Sequence, residues 1–146
     1  MERREIVIDA SVAVKWFVEE EYSDQAIKLK DLHVKGEIDL VAPSLIYYEV
    51  LNALRYSGVF KLEELGLIAR LLEDLQIRLY PPRSVVMARA VELSLKYDIT
   101  VYDASYLSLA EHLNTVVYTA DKELLRKISG FKRAIHIKDL VRSTRS

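Results

Sequence analysis

Cysteine is absent from the 146 residues, which excludes disulfides and any thiolate zinc site. Histidine is scarce and scattered: His33, His112 and His136 do not form a paired-histidine metal motif. Any metal site must therefore be built mainly from oxygen. No uncharged apolar run approaches the roughly 18 residues that mark a membrane helix. The opening "MERREIVIDA" also puts acidic residues where a signal peptide carries a clean positive region. The expectation is a cytoplasmic protein with no membrane partner. A basic excess is missing too. Lys and Arg at 21, Asp and Glu at 22 and a net charge of −1 argue against holding nucleic acid by bulk electrostatics, but do not exclude a nuclease. Local positive charge exists in "KELLRKISGFKR" (Lys122, Arg126, Lys127, Lys132, Arg133) and at Lys138, Arg142 and Arg145, of the mixed-charge kind that solvated helix faces carry.

What is present is core material. Hydrophobic residues make up 51%, enough for one compact domain, and no linker, repeat or low-complexity segment divides the chain. The reading is a single domain over 1–141 with a short tail at 142–146. Short β-rich runs alternate with helical patterns, the signature of βαβ units and a mostly parallel sheet. "EIVID" is the first expected strand, apolar on both faces. "SVAVKWFVEEE" follows as a core helix, then "SDQAIKLKDLHVKG" as a more exposed one capped by Ser23 and stopped by Gly36. "DLVAP" is a strand, and Pro43 opens the helix "SLIYYEVLNALRYSG", ended by Gly58. The apolar positions 62, 65, 68, 72 and 75 make "KLEELGLIARLLEDL" an amphipathic helix that packs back on its predecessor. "IRLYPP", "ITVY", "TVVYT" and "AIHI" read as further strands, with "SVVMARAVELSLKY", "DASYLSLAEHL" and "DKELLRKI" as the helices between them.

In a parallel α/β sheet, ligand sites gather at the edge where strands give way to helices. Asp9 follows "IVI", Asp103 follows "TVY" and Asp121 follows "VVYTA", so three carboxylates from distant parts of the chain are expected at one edge. Glu49 lies inside a helix with Leu45, Ile46, Asn52 and Ala53 as its neighbours at three and four residues, an inward-looking face for a glutamate. Each acid has a local alternative. Asp9 or Ser11 serves equally as a helix cap, Thr100 and Asp103 have capping-box spacing, and Thr119 or Asp121 suits the start of the next helix.

The shared faces favour a common site. Asp103 stands over Tyr106, Leu107 and Ala110, and Asp121 over Leu124, Leu125 and Ile128, so both are expected to project toward packed surface. Carboxylates crowded into a partly dry cleft repel by several kcal/mol per pair at an effective dielectric of about 20, and such a cluster needs a cation. Oxygen donors select hard ions, Mg²⁺ or Mn²⁺ rather than Zn²⁺. An ion so held lowers the pKa of a bound water and neutralises charge on a phosphoryl oxygen, which suits phosphodiester hydrolysis. Ser11, Thr119 and Asn52 would then orient the carboxylates or bound water. Tyr47, Tyr48, Tyr56, Tyr102 and Tyr106 offer aromatic platforms for RNA bases, but all save Tyr48 read better as core edges. Lys15 and Arg55 are the basic residues nearest the acids in sequence. Ser11 lacks a nearby histidine base, which argues against a covalent nucleophile.

With these residues in view, the sequence resembles the PIN domain family, and within it the VapC-type toxin ribonucleases of bacterial and archaeal VapBC toxin-antitoxin pairs. The resemblance rests on "VIDASVAVKWF", "PSLIYYEVLNAL", "YDASYLSLAEHL" and "YTADKELL", and covers nearly the whole chain. It places the family's four acidic positions on Asp9, Glu49, Asp103 and Asp121, its hydroxyl positions on Ser11 and Thr119, and its asparagine on Asn52. It implies a three-layer α/β/α sandwich with a helical-hairpin clamp. The implied activity is Mg²⁺- or Mn²⁺-dependent endoribonuclease action on RNA, with the protein acting as the toxin of a pair. It also implies a homodimer and a small VapB-like antitoxin that blocks the acidic cleft. Two other readings fit less well: an aspartyl phosphoryl-transfer protein lacks the second acid it would want near Asp9, and a catalytically silent PIN-fold module would retain all four acids without use.

Overall fold

The computed structural model describes residues 3–140. Among these residues the chain forms five parallel strands and seven α-helices. The strands are β1 (Arg4–Ile8), β2 (Ile38–Pro43), β3 (Arg78–Tyr80), β4 (Val117–Thr119) and β5 (Ala134–His136). The helices are α1 (Ala10–Ala13), α2 (Ser23–Val34), α3 (Ile46–Ser57), α4 (Leu62–Asp74), α5 (Ser84–Tyr97), α6 (Val101–His112) and α7 (Lys122–Lys127).

The sheet order is β3-β2-β1-β4-β5. β1 is central, which is why Ile6, Val7 and Ile8 are all fully buried: side chains alternate between two faces, and both are covered. From β1 the chain moves outward through β2 to β3, then crosses back to β4 and β5. Parallel crossovers are right-handed, so the reversal puts α1 to α4 on one face and α5 to α7 on the other. The packing agrees: α6 lies over β1, β2 and β4 with α5 against it, while α2 rests on β2 and α4 packs on α3. The result is the expected three-layer sandwich with a helical hairpin. Among the described residues no helix is long and apolar enough to cross a membrane.

Several local expectations change. "ITVY" is not a strand. Its β-branched residues have strand propensity, but Thr100 is the N-cap of α6, its Oγ1 accepting from the Asp103 amide at 3.0 Å, and Val101 and Tyr102 are already helical. Capping chemistry prevails because both neighbours of β1 are taken, by β2 and β4, and propensity is a weak prior. The helix expected from "SVAVKWFVEEE" is a single turn, α1, continued by a 3-10 turn over Val14–Trp16. Ser23 begins α2 rather than capping it, and its hydroxyl accepts from Glu20 N and donates to Val18 O. Pro43 is the last residue of β2, with α3 starting at Ile46. Gly58 does end α3, at φ +77°, where a Cβ would be strained. The tail at 142–146, with Arg142 and Arg145, lies outside the described residues.

Candidate active site

The strand order reverses between β1 and β4, and the crevice beyond the carboxyl ends of these two strands is where an open parallel sheet binds ligands. Asp9 follows β1 directly. Its amide donates to Tyr118 O at 3.1 Å, which extends the β1–β4 ladder by one step and sets Asp9 beside Thr119. The side chain caps α1 through the Ser11 amide at 3.0 Å and also accepts from Ser11 Oγ at 2.5 Å.

Ser11 joins the two strand ends. Its hydroxyl oxygen lies 3.3 Å from Thr119 Oγ1 and accepts from the Ala120 amide at 2.8 Å. Thr119 Oγ1 accepts in turn from the Asp121 amide at 3.1 Å, and Asp121 caps α7 through Leu124 N at 3.0 Å. The two hydroxyl residues singled out in the sequence thus hold the loops that carry Asp9 and Asp121. Capping and site formation are not alternatives here. Asp9 and Asp121 cap helices, and the same carboxylates face the cluster.

Asp103 is the hub of that cluster. Asp9 is 8% exposed, and burial raises its pKa to about 6 against the opposing pull of Ser11 and Thr119, with the charge of Asp103 pushing it further up. Glu49, half-buried on α3, is raised by burial, lowered by the Tyr106 hydroxyl and raised again by Asp103. Asp103 itself is raised by burial and by Asp121, with Thr100 and Lys127 opposing. Three elements, α3, α6 and the β1 end, therefore deliver carboxylates that repel one another through Asp103, and α7 adds a fourth. Asp121 is more exposed than its helical spacing implied, because α7 is only one and a half turns long and its first turn stands at the surface.

Several sequence-based assignments look different in three dimensions. Tyr106 is 3% exposed, and its hydroxyl donates to Glu49 Oε1 at 2.5 Å, a contact between α6 and α3 that core-edge reasoning missed. The available signal was a polar tip at three residues from Asp103 on an otherwise apolar helix face. Lys15 is buried and spent on Glu20 (3.0 Å) and Glu21 O (2.6 Å), so its role is structural. Asn52 is exposed one turn beyond Glu49, and among the described residues it makes no hydrogen bond to the acids. Tyr48, Tyr56 and Tyr102 are exposed, not core edges in the last two cases.

The donor set suits a hard cation: carboxylate and hydroxyl oxygen, no sulfur, and a buried aspartate with no basic partner among the described residues. Among the described residues, no three acids or histidines close into a ready-made cage.

Comparison with known proteins places this arrangement. The PIN domain family profile matches residues 6–130. Ribonuclease VapC3 of Pyrobaculum aerophilum is 32% identical over 130 residues, covering 84% of this chain and 93% of that protein. In fold, the crystal structure of PAE2754 from Pyrobaculum aerophilum superposes with a TM-score of 0.67 at 26% identity, covering 98% of this chain and 97% of that one. Mycobacterium tuberculosis VapC20, described as a sarcin-ricin loop cleaving toxin, superposes at 0.65 with 14% identity, over 88% of this chain and 97% of that one. A toxin-antitoxin complex from Klebsiella pneumoniae gives 0.66 at 12%, over 90% and 97%. With the profile spanning most of the chain, and its first and last acids standing at the sheet's reversal point, the chain belongs to the PIN domain family.

Proposed function

We propose that the protein is a divalent-metal-dependent endoribonuclease, the toxin of a toxin-antitoxin pair, with Asp9, Glu49, Asp103 and Asp121 holding Mg²⁺ or Mn²⁺. The observation that carries this reading is Asp9: a buried carboxylate at the sheet's reversal point, raised by burial and by Asp103, with only hydroxyl and amide partners. Such a group is costly to ionise unless a cation joins it. The relationship to Ribonuclease VapC3 supplies the substrate class.

A bound divalent ion supplies a water of lowered pKa and a counter-charge for a phosphoryl oxygen. The chain's own residues do the rest. Ser11 and Thr119 fix the Asp9 carboxylate and the loop to Asp121, so that two ligand groups from β1 and β4 keep a constant separation. Tyr106 orients Glu49 from α6, and the Thr100 cap fixes the first turn that carries Asp103. Lys127, which offsets the charge of Asp103, stands on the α7 side of the cluster, where it can meet a substrate phosphate. A small antitoxin covering the acids would silence the enzyme. The exposed Leu62, Leu67 and Leu71 of α4 offer apolar surface for that partner or for a homodimer.

The test is cleavage of a mixed structured RNA pool by partner-free protein in Mg²⁺, Mn²⁺ or EDTA, beside Asp9→Asn and Asp103→Asn. The expected result is divalent-dependent cutting that both variants lose. Cutting that persists in EDTA, or in both variants, removes the proposed mechanism. Absence of cutting under every condition by folded protein that binds Mn²⁺ favours the catalytically silent module instead.

A further inference from the structure

Beside Glu49 an open groove of about 810 Å³ runs between α3 and α4, bordered on its far side by the start of α6. Three of its features lie outside the packed core of the fold. First, Tyr48 and Tyr102 are 80% and 66% exposed, and each is the chain neighbour of a clustered acid, Glu49 and Asp103 respectively. Second, the Arg55 guanidinium lies 4.2 Å over the Tyr56 ring and makes no ion pair among the described residues, although it lines the same groove as Glu49. Third, Gly66 occupies the middle of α4, where glycine is the least favoured residue after proline. Its φ is not positive, and a Cβ built there would meet nothing within 4 Å, so neither backbone nor packing requires it. The missing side chain only keeps the groove wall low.

We propose that this groove is a subsite for unpaired nucleobases of the RNA strand flanking the bond to be cut. Bases stack on Tyr48 and Tyr102, Arg55 meets a backbone phosphate, and Gly66 leaves room for the stack. The proposal rests on the ribonuclease reading above and names how its substrate is held. Aromatic faces with a free guanidinium are the recurring means of gripping a single strand, and they are sequence-tolerant because every base has a π-face. A duplex keeps its base faces stacked internally and cannot offer them to the tyrosines. The subsite therefore selects the unpaired state of the nucleotides rather than their identity. Tyr48, Asn52 and Arg55 stand at spacings of four and three residues, one stripe of α3, so a strand lying along that helix meets all three and leads toward the acidic cluster, where a bound cation would offset the charge of its phosphate.

The experiment is fluorescence anisotropy with an unpaired RNA of about ten nucleotides and with the same sequence as a duplex. It is run in EDTA, where metal-dependent cutting is off. Wild type is expected to prefer the single strand. Tyr48→Leu and Tyr102→Leu should each weaken it at least about fivefold, with Trp at either position restoring it. Arg55→Gln should flatten the dependence of log affinity on log salt by about 0.7. Gly66→Ala should melt higher than wild type, whereas Gly66→Leu should lose RNA affinity while staying folded. Leucine variants that bind as wild type, or a duplex bound as tightly as the single strand, overturn the proposal. A protein partner lost by those variants while RNA binding stays intact also overturns it. Cutting by wild type with unchanged KM in the tyrosine variants removes the subsite and leaves the nuclease reading. Binding that depends on the tyrosines without any cutting does the reverse.

Discussion

The Tyr106 hydroxyl donates to Glu49 Oε1 at 2.5 Å, tying α6 to α3 at the acidic cluster. Burial, together with the carboxylates of Glu49, Asp9 and Asp103, pushes the phenol far above its usual range, so the proton stays on tyrosine and Glu49 remains the acceptor. The bond fixes a glutamate that would otherwise swing freely from a helix surface. Tyr106→Phe preserves the ring in its buried place and removes only the donor. Stability should fall by about 1 kcal/mol in urea unfolding. RNA cleavage in Mn²⁺ should drop by about tenfold, through loss of Glu49 orientation. Unchanged cleavage would show that Glu49 needs no such support.

Asp9 makes the metal-free protein sensitive to pH. Its carboxyl titrates near 3.8 when unfolded and about 6 when folded, so between those values the folded state holds the extra proton. Stability from this group is complete below about pH 4 and is lost as pH rises through 6, a loss of about 3 kcal/mol. Asn at this position keeps an oxygen for Ser11 but carries no charge. In EDTA at pH 7, Asp9→Asn should therefore melt several degrees above wild type, and the gap should close toward pH 4. Calorimetry across that range decides; identical pH profiles would sink the assignment.

Mn²⁺ should close that gap. Wild type is expected to gain about 2.7 kcal/mol of stability at a hundredfold excess over Kd, and Asp9→Asn and Asp103→Asn should lose most of the gain. Equal Mn²⁺ shifts in all three proteins would count against a shared acidic site.

Ser11 is a support, not a nucleophile. Ser11→Ala leaves the Ala120 amide and Asp9 each without a hydroxyl partner, which should cost about 1–3 kcal/mol of stability. Measurable cleavage should survive. Activity abolished in a folded Ser11→Ala protein, with a covalent adduct visible by mass spectrometry in wild type, would contradict this.

The α3 helix is held by Ile46, Val50 and Leu54, all fully buried, and Glu49 rides on its edge. Leu54→Ala should destabilise the fold by about 3 kcal/mol in urea without changing the cleavage site on RNA, because it lies on the far side of the helix turn from the groove.

Much of the fold, and where several of the candidate acids fall in it, is legible in the linear pattern. The apolar run Ile6-Val7-Ile8 marks a doubly covered strand, and an aspartate directly after such a run falls at the ligand-binding edge of a parallel sheet. That is a consequence of strand geometry alone, so Asp9 and the β4 end at Thr119 could be placed without coordinates. The resemblance to a known family aligned the remaining acids. What the local pattern misjudged was Asp103. It reaches the cluster from the first turn of α6, not from a strand end, since "ITVY" has the β-branched composition of a strand but the Thr100 cap of a helix. Composition records propensity, whereas capping and the filled neighbours of β1 decide the outcome.

Other features have no local trace. Glu49 and Tyr106 are separated by 57 positions, and only the seating of α6 over β1 and β2 brings the phenol to the carboxylate. The burial of Lys15, the exposure of Tyr102 and Asp121, and the meeting of Ser11 with Thr119 likewise depend on which elements lie against one another. By itself the sequence determined the five strands that form, though not that "ITVY" is helical, and the oxygen character of the candidate donors, because side-chain chemistry and short-range periodicity are properties of the chain. Only the tertiary structure decided which carboxylates share charge, which hydroxyls hold them and which aromatic faces stay in water, because proximity between distant segments is set by packing.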